Sequence, residues 1–171
     1  MYKVFETERL RVRPINLQDA SFILTLVNSE GWLKYIGDRN IKDIGDSEQY
    51  IQKILNNSKY FYNVFELKNS GIQIGIVTFL YRDDYQYPDI GFALLPEYEK
   101  NGYSFEASRT YLDNIFKNNL ADKVLGITVP KNYSSIKLLQ KLGLTFKETI
   151  VKDKEQLSIF EITNENKYAS R

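Results

Sequence analysis

The sequence predicts a mixed α/β fold, with about seven strands in one sheet and helices on both faces. Three observations lead there. Two runs rich in aromatic and β-branched residues, "YFYNVFEL" and "IQIGIVTFLY", flank the turn-forming "KNSG" and read as an antiparallel hairpin. From Asp89 to Val129 the pattern runs strand, helix, strand, which calls for a right-handed crossover between parallel strands. Helical periodicity appears before the hairpin and again between the later strands.

Each element has its own signal. "ERLRVRPI" sets Leu10 and Val12 on one face and Arg9, Arg11 and Arg13 on the other, a half-exposed strand. "NLQDASFILTLVN" follows as a helix with Asn16 as cap and Ala20, Ile23, Leu24 and Val27 at helical spacing. "DSEQYIQKIL" reads as a second helix capped by Asp46 or Ser47. After the hairpin, "DIGFALL" is a strand, "SFEASRTYLDNIFKNN" a helix and "KVLGITV" a strand. "SSIKLLQKL" is a helix ended by Gly143, and "LTFKETIV" and "EQLSIFEI" close the chain as strands around "KDKE". Residues 1–171 read as one domain, with 164–171 as a loose tail.

Composition removes several function classes. With 23 basic and 22 acidic side chains, the net charge of +1 gives no broad field for a nucleic acid. There is no Cys and no His, so disulfides, thiol nucleophiles, thiolate zinc sites and imidazole bases are impossible. No Asp/Glu spacing resembles a calcium loop, and no metal site is predicted. The start "MYKVFETERLRVRPI" lacks the apolar core of a signal peptide, and "IGIVTFLY" is too short to span a bilayer. The expectation is a cytoplasmic protein without a membrane partner.

The most informative stretch is "DIGFALLPEYEKNGYSFEAS". A strand that breaks into a loop and then starts a helix presents unpaired N–H groups and the positive end of a helix dipole, a combination that binds phosphate. Asn101 and Gly102 are the residues best suited to left-handed angles, and Lys100 adds a charge. Along the strand, Asp89, Gly91 and Ala93 share one face, opposite Ile90, Phe92 and Leu94. The parallel partner sets Val124, Gly126 and Thr128 against Leu125, Ile127 and Val129. Small residues on one face of both strands leave room for a ligand, or else for closely packed helices.

"DIGFALLPEYEKNGYSFEA" followed by "NYSSIKLLQKLGL" resembles the GNAT superfamily of acyl-CoA-dependent N-acetyltransferases, most of all the branch of ribosomal-protein N-terminal acetyltransferases. "ETERLRVRPINLQDA" and the element order extend the resemblance over nearly the whole chain. It implies direct acetyl transfer from acetyl-CoA, the co-substrate, to a primary amine on a small molecule or a protein N-terminus. It implies that the backbone of Phe92, Ala93, Leu94 and Leu95 holds the acetyl group and pantetheine. The pyrophosphate would sit on Glu99, Lys100, Asn101, Gly102, Tyr103 and Ser104. Asn132 and Ser135 match the family's Asn-x-x-Ser, in which Asn132 binds the cofactor arm, while also suiting a helix cap, and Ser135 protonates the departing thiolate. Asp89 becomes the proton acceptor for the amine. Trp32, Asp38 and Arg39, in "EGWLKYIGDRN", fall where the family forms an acceptor wall.

Two departures stand out. Lys100 occupies the place of the loop's first glycine, and Leu139 the place where many relatives carry a tyrosine. The thinned glycine loop admits an alternative, a non-catalytic acyl-CoA-binding or sensor module. The acceptor's identity and the oligomeric state, monomer or homodimer, stay open.

Overall fold

The computed structural model describes residues 4–164. Its strands are β1 (Phe5–Glu6), β2 (Leu10–Pro14), β3 (Tyr60–Leu67), β4 (Gln73–Leu80), β5 (Asp89–Leu94), β6 (Lys123–Thr128), β7 (Thr145–Lys152) and β8 (Glu155–Thr163). Its helices are α1 (Ala20–Val27), α2 (Glu30–Tyr35), α3 (Ile44–Leu55), α4 (Tyr103–Lys117) and α5 (Tyr133–Lys141). The strands form one eight-stranded sheet in the order β1-β2-β3-β4-β5-β6-β8-β7. The strand beyond the expected seven is β1, two residues paired with β2. Most of the segment expected to be a loose tail lies outside the described residues; Asn164 donates its backbone N–H to Asp122 O at 2.9 Å.

Helices cover both faces because two apolar sets face opposite ways. Leu10, Val12, Phe65, Val77, Phe79 and Ile90 join Ala107, Tyr111, Leu112, Ile115 and Phe116 of α4 in one buried cluster. Ile23, Leu26, Val27, Ile51 and Ile54 of α1 and α3 join Val64 and Ile76 in the other. At the first helix entry Asn16 caps as expected: its Oδ1 accepts from Gln18 N at 2.9 Å, and Asp19 Oδ2 accepts from Asn16 N at 2.8 Å.

Three details differ from the sequence reading. The cap of α3 is Asp43, whose Oδ1 accepts from Asp46 N at 2.9 Å; Ser47 lies inside the helix and donates to Ala20 O at 2.8 Å. The segment around Trp32 is partly helical as α2, not a loop. The small residues of β5 and β6 lie on opposite faces. Asp89 is level with Leu125, so Gly126 shares the side of Ile90 and Phe92, away from Gly91 and Ala93. A Cβ on Gly126 would come within 2.4 Å of Leu139 Cδ2, so here the glycine serves close packing of α5.

The functional consequence of the topology lies between β5 and β6. β5 pairs with β4 along its whole length, and β6 pairs likewise with β8. Between the two parallel strands a single pair, Asp89 with Leu125, is in register, held by Leu125 N–H donating to Pro88 O at 2.8 Å. Beyond that point the strands part.

Candidate active site

The parting strands open into a cleft of about 870 Å³, lined by β5, the start of α4, the end of β6, α5 and residues of α2. Backbone alternation decides which groups face it. Leu95 N–H donates to Ile74 O at 2.9 Å, so Leu95, and with it Ala93 and Gly91, is bonded toward β4. Phe92 and Leu94 therefore turn their N–H and C=O groups toward the opening. Leu95 is a correction to the expected set: its amide is engaged and its side chain is buried in the α1–α3 core. Ala93 contributes to the lining through its surface, not its amide.

At the end of β5 the chain makes a single turn over Pro96–Tyr98 and reaches the loop before α4. Lys100 has φ +63° and Gly102 φ +82°, both left-handed. Lys100 thus holds the backbone conformation for which a glycine would be the natural choice. α4 starts without a side-chain cap, and its first intrahelical bond runs from Glu106 N to Gly102 O at 3.0 Å. The amides just before Glu106 are left for a ligand or water. Glu99, Lys100, Gly102, Tyr103 and Ser104 border the cleft, and Lys137 and Lys141 of α5 stand across from them. Asn101 does not border it. Its Nδ2 donates to Tyr98 O and Glu99 O at 3.2 and 3.0 Å, which makes it the loop's internal tie.

Arg9 fixes the loop from below. Its Nη1 donates to Asn101 O at 3.0 Å, its Nε to Glu106 Oε2 at 2.7 Å, and its guanidinium lies 4.4 Å from the Tyr103 ring centre. Burial works against ionisation of Glu106, but hydrogen bonds from Thr7 and Arg9 outweigh it and hold the carboxyl below its ordinary value.

At the other end of the cleft stands Asp89, 4% exposed. Arg82 Nε donates to its Oδ1 at 2.6 Å and Nη2 to Oδ2 at 3.3 Å. Burial pushes the Asp89 carboxyl up from its usual range, and Arg82 opposes this. A carboxylate has about four acceptor directions, so two remain for a water or an amine. Beside it, Gly91 is required by Thr78, whose Oγ1 would sit 2.6 Å from any added Cβ. Tyr62, from β3, completes this wall, and burial raises its hydroxyl well above the ordinary value.

Asn132 Oδ1 accepts from Ser135 N at 3.2 Å, so Asn132 is the cap of α5. Both residues border the cleft, and among the described residues the Ser135 hydroxyl has no protein partner. Leu139 is 1% exposed and packs against Gly126 as a core residue.

The acceptor-wall trio divides. Trp32 is 5% exposed and donates Nε1–H to Gly37 O at 3.1 Å, so it is chiefly packing with one edge on the cleft. Asp38 accepts from Asn40 N at 2.7 Å as a turn former and does not border the cleft, a third correction after Leu95 and Asn101. Arg39 borders it and lies 6.0 Å from the Trp32 ring centre.

Arg82, Tyr62, Arg9, Lys137 and Lys141 were not singled out in the sequence. Tyr62 was findable, since alternation from Val64 puts it on the face of Gly91 and Ala93. Arg82 was not, because no sequence spacing signals a pair across the turn between β4 and β5.

A family model described as an acetyltransferase (GNAT) domain matches residues 9–145. The chain belongs to the GNAT acetyltransferase family. Among its relatives is the uncharacterized N-acetyltransferase YnaD of Bacillus subtilis, 25% identical over 154 residues, covering 87% of this chain and 89% of that protein. A GNAT-family acetyltransferase from Bacillus anthracis superposes with a TM-score of 0.81 at 20% identity, covering 95% of this chain and 99% of that one. The ribosomal-protein-S5-alanine acetyltransferase from Vibrio fischeri also superposes with a TM-score of 0.81, at 22% identity over 95% of this chain and 97% of that one. At such identities the superpositions establish the shared fold. This GNAT chain is accordingly an acetyl-CoA-dependent acetyltransferase by family. Among the described residues no helix is long and apolar enough to cross a membrane.

Proposed function

We propose that acetyl-CoA binds in the opening between β5 and β6, and that the acetyl group passes directly to a primary amine. The observation that carries this reading is the parting of β5 from β6 after Asp89 and Leu125. It leaves the Phe92 and Leu94 backbone free to pair with an extended arm as an added strand would. The same opening ends at the left-handed Lys100–Gly102 loop and the uncapped start of α4, where Lys137 and Lys141 add positive charge.

The thioester supplies an activated acyl group; the rest is positioning by this chain. Holding amine and acyl carbon in near-attack geometry accounts for up to roughly 7–11 kcal/mol of barrier lowering. Backbone N–H groups of β5 stabilise the developing oxyanion. Asp89, raised by burial and oriented by Arg82, accepts the proton that the amine must lose. The Ser135 hydroxyl donates a proton to the departing thiolate, while Asn132 fixes the start of α5 beneath it.

A thermal-shift titration with acetyl-CoA, with desulfo-CoA and ATP as controls, tests the binding half of this proposal. Saturation at 100 times the dissociation constant stabilises the fold by about 2.7 kcal/mol, a rise of roughly 5–10 °C for a chain of this size. A flat response up to millimolar acetyl-CoA would refute the assignment.

A further inference from the structure

We infer that the acceptor amine also carries an anionic group, a carboxylate in its simplest form, and that Arg39 is the residue that selects it. This rests on the assignment of the cleft above. The acceptor end is bordered by three cations, Arg39, Arg82 and Lys152, and by two carboxylates, Asp89 and Glu155. Two of the cations are engaged. Arg82 holds Asp89, and Lys152 pairs with Asp84 outside the cleft. Arg39 has no acidic partner among the described residues, and the carboxylate next to it in the chain, Asp38, is turned to the Asn40 amide.

Arg39 nevertheless belongs to the same pocket as Asp89. Arg39, Tyr62 and Arg82 all border the cleft that Asp89 borders. Trp32, itself held by Gly37, lies beside Arg39 and restricts where the guanidinium can go. A planar fork of donors, without an acidic partner among the described residues and bordering the same cleft as the proton acceptor, fits a carboxylate bidentately. A polycationic amine would meet the opposite situation, since Asp89, the buried carboxylate of the pocket among the described residues, is already neutralised by Arg82.

The test compares matched acceptors on wild-type protein, Arg39→Gln and Arg39→Lys. L-amino acids, their α-amides and spermidine are assayed for CoA thiol release, and kcat/KM is taken as the ratio of each acid to its own amide. Comparing that ratio between protein forms cancels the intrinsic reactivity of each amine. The expected result is a ratio at least about tenfold lower in Arg39→Gln, partly restored in Arg39→Lys, with spermidine poor throughout. An unchanged ratio, or spermidine as the best acceptor of the wild type, would overturn the inference. Should nothing in the panel be acetylated, the same acids are titrated into CoA-loaded protein by thermal shift. A shift with the acids that disappears in Arg39→Gln supports the inference, and no Arg39-dependent shift overturns it. The acetyl-CoA shift itself should be equal in all three forms; its absence from the wild type would instead remove the cleft assignment.

Discussion

Lys100 separates shape from charge in the loop proposed to hold the pyrophosphate. Its φ of +63° places an L side chain in the left-handed region, which costs roughly 1–2 kcal/mol relative to glycine. Replacing it with glycine relieves that cost but gives the unfolded chain about 0.4–1 kcal/mol of extra freedom. The net for Lys100→Gly is a gain of about 0.5–1 kcal/mol, which for a chain of this size is roughly 1–4 °C in Tm. Acetyl-CoA affinity should move the other way. If the pyrophosphate sits on this loop as proposed, removing one exposed cation costs about 1 kcal/mol, near fivefold in Kd, and the difference should shrink at high salt. Lys100→Ala loses the same charge and keeps the left-handed strain. Its Tm should match the wild type and its Kd should match Lys100→Gly. Melting curves without ligand and titrations at low and high salt measure all four quantities. A destabilised Lys100→Gly would refute the strain, and an unchanged Kd in both variants would refute the loop's role in binding.

Asp89→Asn should lower kcat/KM by about 10²-fold or more while leaving acetyl-CoA affinity within about twofold. Because burial raises the Asp89 carboxyl above 3.8, the wild-type rate should climb with pH through a value above the ordinary carboxyl, and this limb should vanish in Asp89→Asn. The sign for stability follows from burial outweighing the Arg82 ion pair: the fold binds this proton more tightly than the unfolded chain, so Asp89 favours folding less as pH rises through that window. Unaltered turnover in the variant would remove Asp89 as the base. Ser135→Ala should slow turnover with little change in Tm, whereas Asn132→Ala should cost about 1 kcal/mol of stability through the lost cap. Equal Tm losses in the two would mean that Ser135 is structural as well.

Patterning along strands and helices was legible in the sequence because it depends on local periodicity. Leu10 and Val12, the faces of β5, and the Asn16 cap all follow from spacing alone. The cap of α3 lies three or four residues before the expected Asp46 or Ser47, because Asp43, Asp46 and Ser47 are all good cap formers and only the three-dimensional path chooses among them. The cleft itself was not legible. Whether two parallel strands stay paired depends on what fills the space between them, and Gly126 was filled by Leu139 rather than left open. Local propensity offers Asn101 for the left-handed angle, but Lys100, in the place of the family's glycine, takes it beside Gly102; nor could the sequence tell that Arg82 crosses a turn to reach Asp89. The engaged amide of Leu95 required the register with Ile74, which no single-strand pattern contains.

The central claim is that acetyl-CoA pairs with the free edge of β5, and amide hydrogen exchange at single-residue resolution tests it most directly. Beyond the uniform slowing that any stabilising ligand brings, acetyl-CoA should protect the Phe92 and Leu94 amides, which face the opening. The Ala93 and Leu95 amides, bonded toward β4, should gain nothing further. Protection that fails to distinguish the two sets, or that appears elsewhere on the fold, would contradict the account.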